Sequence, residues 1–331
     1  MPQPAVKRAA HRDAKVIPLR KSATEWEQAL AAFLAEKRRK NLSPSTLENY
    51  EWYLKGARMT AFVKDHAITS PAQMDAAMLS AFEAELSAVK PTVEGGKKLS
   101  ASTIHTFHRV LQNFLGFCRR SDYGGDAKVR EVEAPKLEQR EPETFSDKDI
   151  ETIREALKDR PRDLMMADLL LATGLRLQEI CNLTLDDFID PSDGRALIRV
   201  RQGKGRKDRY VPMDTPKNRL SDQLRRYIAK DRPKGPATAL FLSTRADSRG
   251  GEPQPLSPNG IQIMFKRLSR ETGIHVNPHK WRHSFATRSL SAGVDVMALQ
   301  KALGHTTLQM VSKYVHYQTD DLIAAWGKRR D

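Results

Sequence analysis

Apolar residues along this chain recur almost throughout at spacings of three and four, and a single stretch departs from that rhythm by alternating. Trp26, Leu30, Phe33 and Leu34 open the series, and Ile104, Phe107, Val110, Leu111, Phe114 and Leu115 form one stripe over residues 102–120. Ile150, Ile153 and Leu157 repeat the pattern, and residues 164–173 are apolar enough for a buried helix. Such stripes cover one face of an α-helix and require a partner face. Helix starts are written beside them. Ser43-Pro44 puts a capping residue before a proline at the first helical position, Pro71 leads into a helix over residues 74–89, and Ser146 with Asp149 three residues on is a capping box. The departure is RALIRVRQGKGRKDRYVPM, where residues 196–201 and 209–213 read as two short strands joined by a glycine-containing turn. The expected fold is mainly α with a small β-hairpin or sheet.

At 331 residues the chain has room for two domains of ordinary size. Residues 1–21 hold six Lys and Arg against one acid, without apolar periodicity, and read as a basic flexible tail. Residues 22–130 read as a helical unit and residues 146–331 as a second domain. Residues 131–145 read as a linker, with Pro135, Pro142 and five Glu but few apolar anchors. Against 41 Asp and Glu stand 56 Lys and Arg, a net charge of +15, which suits a protein that meets a polyanion, nucleic acid first. The two cysteines, Cys118 and Cys181, build neither a disulfide framework nor a cysteine-rich zinc site. No run approaches 18 consecutive apolar residues and the first residues lack the apolar core of a signal peptide, so a soluble cytoplasmic protein with no membrane partner is expected.

Three local patterns carry chemistry. ATGLRLQEICNL places Arg176 directly after an apolar helix broken at Gly174, with Glu179 three residues on; alone, this is equally an ordinary surface ion pair. NPHKWRHSFATRSL sets Asn277 and Pro278 at a helix start, so His279 and Arg282 share a face in its first turn, where free N–H groups and the helix dipole favour an anion. His279 and His283 have the spacing of a metal pair, but Lys280 stands where a zinc peptidase helix has its glutamate. KALGHTTLQMVSKYVHY sets His305 after a glycine helix stop and Tyr314 nine residues later. Alone, residues 295–315 also resemble a DNA-reading helix-turn-helix, which does not account for His279, Arg282 and His305 preceding Tyr314.

Taken together these residues form a phosphoryl-transfer set that needs no metal or other cofactor. Guanidiniums at Arg176 and Arg282 can each fork onto phosphate oxygens and stabilise a pentavalent phosphorane in a dry site. A tyrosine supplies the nucleophile, and a lysine in a basic turn supplies a proton to the departing oxygen.

With TGLRLQEI (Arg176), the GKG turn (Lys204), HKWRH (His279 and Arg282), LGH (His305) and Tyr314, the chain resembles the tyrosine recombinases, also called the phage integrase family, over residues 146–317. The helical unit is similar to that family's core-binding domain. The resemblance implies an α+β catalytic domain beside it. It implies that Tyr314 attacks the scissile phosphate to give a 3′-phosphotyrosyl link and a free 5′-hydroxyl, that Arg176 and Arg282 hold the non-bridging oxygens, and that Lys204 protonates the leaving 5′-oxygen. His279 and His305 would support the phosphate and assist proton transfer, and Glu179 would orient its neighbours. The implied partners are double-stranded DNA recombination sites, clamped between the two units, and three further copies of the chain in a tetramer that exchanges strands through a Holliday junction. Accessory DNA-bending or directionality factors can join them.

A tail of 21 residues is too short for the extra DNA-binding domain of several phage integrases, so a simpler recombinase of a phage, mobile element or chromosome is expected. Leu322, Ile323, Ala325 and Trp326 form an apolar patch near the C-terminus that can pack on its own domain or on a neighbouring subunit. Tyr317 and Lys207 are rivals to Tyr314 and Lys204; the spacing from His305 and the flanking Gly203 and Gly205 favour the latter pair. The alternative functions are a non-cleaving helix-turn-helix-like DNA-binding regulator and a zinc hydrolase using His279, His283 and His305.

Overall fold

A computed structural model describes residues 23–88, 98–137, 142–190, 196–201, 208–215, 218–243 and 252–304. The chain divides into two compact units, Met1–Gln139 and Arg140–Asp331.

Among its described residues the first unit holds five α-helices: α1 (Glu25–Arg39), α2 (Pro44–Lys55), α3 (Ala57–Asp65), α4 (Ala76–Ala88) and α5 (Ala101–Arg120). Their starts are capped by short polar side chains. Thr24 Oγ1 accepts the Glu27 N–H at 3.2 Å while Glu27 accepts the Thr24 N–H at 2.9 Å, and Ser43 and Ser100 cap α2 and α5. A cap of this kind is worth about 1 kcal/mol. The stripe on α5 fills the core, with Phe107, Leu111, Phe114 and Cys118 buried and Phe33 edge-on to both Phe114 and Phe117 at 5.5 Å. Burial pushes the Cys118 thiol up to about 12, so it packs as a small apolar group.

The helix that starts behind Ser43 ends at Gly56, whose backbone is extended, and α3 follows at once. The helix expected over residues 74–89 differs at its start. Pro71 opens a separate 3₁₀ turn, Pro71–Gln73 capped by Ser70, and α4 starts only at Ala76, behind Asp75, which accepts the Met78 N–H at 2.8 Å. Beyond α5, Gln112 donates to the carbonyls of Val129 (3.1 Å) and Val132 (3.2 Å), which fastens this part of the chain along the helix.

The second unit holds α6 (Asp147–Leu157), α7 (Pro161–Thr173), α8 (Leu177–Cys181), β1 (Phe188–Ile189), β2 (Leu197–Val200), β3 (Arg209–Pro212), α9 (Leu220–Arg226), α10 (Pro258–Thr272), α11 (Pro278–Ser291) and α12 (Val296–Leu303). The strands form an antiparallel sheet in the order β1-β2-β3, paired Phe188 to Ile198 and Val200 to Arg209. β1 is two residues long and has no periodicity to announce it. Ile198, Val200 and Val211 point into the core, whose largest buried side chain is Trp281 on α11. Helix α11 packs along α7, and buried Ser284 on it accepts the Phe145 N–H at 2.7 Å. Among the described residues no helix is long and apolar enough to cross a membrane.

Candidate active site

The site is assembled from chain segments that stop abruptly. Helix α7 ends because Gly174 adopts φ +60°, and α12 ends at Gly304 with φ +64°. This left-handed conformation is open to glycine without strain. At Gly174 a Cβ would also lie 2.3 Å from the Phe285 ring, so the turn closes directly against α11. Two residues later Arg176 caps α8 in an extended conformation.

Arg176 and Glu179 lock each other. The Arg176 N–H donates to Glu179 Oε2 at 2.8 Å, and its Nη1 donates to Oε1 at 2.9 Å. Glu179 is also gripped by Arg209 on β3, whose Nη1 and Nη2 donate to Oε1 (2.9 Å) and Oε2 (2.7 Å). Burial pushes the Glu179 carboxyl up, but the Arg209 hydrogen bonds, the Arg176 N–H, the charge of Arg209 and the Arg176 side chain together hold it down at about 2. Arg176 stays 44% exposed while Arg209 is only 8% exposed, so only the former opens to solvent. It opens onto a cavity of about 710 Å³, lined also by Arg199, Arg201 and Gly304.

Arg199 and Arg201 share one buried carboxylate. Their Nε atoms lie 3.0 and 2.8 Å from Asp187 Oδ1, and Arg201 Nη2 donates to Thr184 Oγ1 at 3.0 Å. Burial raises the Asp187 carboxyl, but hydrogen bonds from Thr184 and Arg199 and the charge of Arg201 bring it below the ordinary range. The cavity wall is therefore basic.

Arg282, near the start of α11 and 5% exposed, is turned inward; its Nη1 donates to the Gly174 carbonyl and its Nη2 to the Leu303 carbonyl, both at 2.6 Å. These are carbonyls at the C-terminal ends of α7 and α12, where the helix dipole favours a cation. One planar fork thus ties the two helix ends beside the cavity. His279 sits exposed in the first turn of α11, behind the Asn277 cap on the Lys280 N–H (2.8 Å), and its ring lies roughly parallel to that of His283 at 6.2 Å.

Lys204, His305 and Tyr314 lie outside the described residues, as do Lys207, Tyr317 and the patch at 322–326. The structure brings together Arg176, Glu179 and the backbone anchors of Arg282. Among the described residues no cluster of three or more His, Cys, Asp or Glu is placed to hold a metal ion. Sequence reasoning missed Arg209, Arg199, Arg201 and Asp187. For Arg209 a signal was present: it alternates in phase with Val211, so it falls on the inward face of β3, where a charge requires a partner.

Residues 143–320 match the sequence profile of the phage integrase family. The tyrosine recombinase XerA of Pyrococcus furiosus is 30% identical over 213 residues, covering 64% of this chain and 70% of that protein. The tyrosine recombinase XerC of Halalkalibacterium halodurans is 29% identical over 308 residues, 90% of this chain and 94% of that one. Among solved structures, the Tn1549 transposon integrase in complex with a circular intermediate DNA superposes with a TM-score of 0.69 at 21% identity, covering 93% of this chain and 100% of that one.

Proposed function

This chain belongs to the phage integrase family, the tyrosine recombinases, and from that premise we propose how it cuts and rejoins DNA. It is a site-specific DNA recombinase. Its substrate is a double-stranded recombination site. Tyr314 Oη attacks the scissile phosphorus, the bond to the 5′-oxygen breaks, and the products are a 3′-phosphotyrosine and a 5′-hydroxyl. Lys204 gives the leaving oxygen its proton, and His279 and His305 assist proton transfer and support the phosphate. Arg176 and Arg282 hold the non-bridging oxygens, where fixed donors lower the barrier because they need no reorganisation as charge develops. Attack of a partner strand's 5′-hydroxyl reverses the step, and the phosphotyrosine conserves the bond energy.

The observation that carries this reading is the bracing of the two arginines: Arg176 is held by Glu179 beside a basic cavity, and Arg282 by the backbone carbonyls of Gly174 and Leu303. Such bracing suits donors to a phosphate better than it suits surface ion pairs. The working assembly is a homo-tetramer on two DNA sites in the cytoplasm, joined by accessory factors where a direction is imposed. Family membership displaces the helix-turn-helix regulator, which would leave DNA whole.

The test is a nicked duplex bearing the recombination site, incubated with protein in EDTA and then denatured. A covalent protein–DNA band is expected with the wild type and none with Tyr314→Phe, which should still bind the duplex. Binding without a covalent band in the wild type contradicts the reading.

A further inference from the structure

Arg209 occupies a position that the strand pattern reserves for an apolar side chain, and it does three things there. Its Nη1 and Nη2 take both oxygens of Glu179, and its Nε donates to the Ala302 carbonyl at 2.7 Å, near the end of α12. Gly304 passes over it so closely that a Cβ there would lie 3.2 Å from Arg209 Cδ and Nη1. One guanidinium therefore joins β3, α8 and the end of α12.

Charge gives the arrangement its meaning. Glu179 accepts from Arg176 and Arg209 at each oxygen: 2.9 and 2.9 Å on Oε1, 2.8 and 2.7 Å on Oε2. Arg176 and Glu179 alone would sum to zero, and the arginine's charge would be spent on its neighbour. With Arg209 the three sum to +1. That surplus sits beside the exposed member, because Arg209 itself is buried. The other charged groups lining the cavity, Arg199, Arg201 and Asp187, are engaged with one another. Buried ion pairs are weak stabilisers of a fold because desolvation offsets their attraction, so stability alone is a poor reason to place one here.

We propose that Arg209 is a positioning residue for DNA cleavage: it neutralises Glu179 and fixes it, so that Arg176 faces the phosphate with its charge and orientation intact. This rests on the reading of Arg176 as a phosphate-binding residue. Arg209 touches no substrate; it acts through Glu179.

Single-turnover cleavage of a nicked site duplex and DNA affinity are measured for Arg176→Ala, Arg209→Met, Arg209→Lys, and Arg209→Met combined with Glu179→Gln. Arg209→Met should slow cleavage by about 10- to 100-fold, the cost that losing an orienting partner carries at metal sites, and leave DNA affinity within a few fold. Adding Glu179→Gln should restore cleavage several-fold, because a neutral amide no longer claims the charge of Arg176. A purely structural role predicts no such recovery. Wild-type cleavage by Arg209→Met, or a double variant no faster than the single, overturns the proposal. If circular dichroism shows Arg209→Met unfolded, Arg209→Lys carries the test: it keeps the charge without the fork and should cleave more slowly at unchanged affinity, and a wild-type rate overturns the proposal. Normal cleavage by Arg176→Ala overturns the phosphate reading and the proposal with it. An impaired Arg176→Ala beside an unimpaired Arg209→Met overturns the proposal alone.

Discussion

An arginine that is to hold a phosphate must be held itself, and at the two positions proposed for that role the holding is done by different means. Arg176 is fixed through a carboxylate and Arg282 through two backbone carbonyls. Replacing either by alanine should slow cleavage by roughly 100- to 1,000-fold with DNA affinity nearly unchanged, the cost of losing one preorganised donor. Arg282→Lys should remain defective, since an ammonium cannot span the carbonyls of Gly174 and Leu303 as a planar fork does; full activity in a quench-flow assay would refute this. Lys204→Ala should cleave ordinary DNA very slowly but regain most of its rate when sulfur replaces the bridging 5′-oxygen, because a thiolate leaves without a proton. Rescue of Lys207→Ala instead would move the proton donor there. Glu179 also makes an acid-stability prediction. Its carboxyl is held at about 2 against an ordinary value of 4.5, so its contribution is fully present above pH 4.5 and is lost as pH falls toward 2. Glu179→Gln should flatten that part of a thermal-unfolding profile of the second unit, and an unchanged acid dependence would contradict the pairing.

Elements matter here mainly for where they end. Gly174 ends α7 in a left-handed turn that also touches Phe285, and it presents its carbonyl to Arg282. Gly174→Ala should cost at least ~1–2 kcal/mol from the backbone alone, more once Phe285 shifts, and should lower cleavage, measurable as a drop in melting temperature together with a slower rate. A helix start declares itself in three or four residues, which is why Ser146 with Asp149, Ser43-Pro44 and Asn277-Pro278 were legible in the sequence and all cap helices in the structure. The two-residue β1 was not legible, because a strand defined by one neighbour depends on tertiary contacts. Arg176, Glu179 and Arg282 stood out in sequence through their motifs. The partners that hold them did not: Arg209 lies 30 residues from Glu179, and the carbonyls of Gly174 and Leu303 carry no sequence signature at all. Alternation in β3 was the one local clue to Arg209.

At the scale of the whole molecule, a surplus of 15 positive charges favours contact with any DNA, and what distinguishes a recombinase is the bond it makes. Binding to unrelated duplex should therefore weaken steeply as salt rises, while covalent capture stays confined to the recombination site; a filter-binding salt titration beside a capture assay separates the two. Each of the two units has its own core, and the residues proposed for the chemistry all lie in the second. The most direct test of the account is to trap the wild-type protein on a nicked site duplex in EDTA, digest with protease and nuclease, and identify the modified residue by mass spectrometry. The account predicts a nucleotide linked through its 3′-phosphate to Tyr314. Its attachment to Tyr317 or to any other residue, or cleaved DNA with no linked peptide, would contradict it.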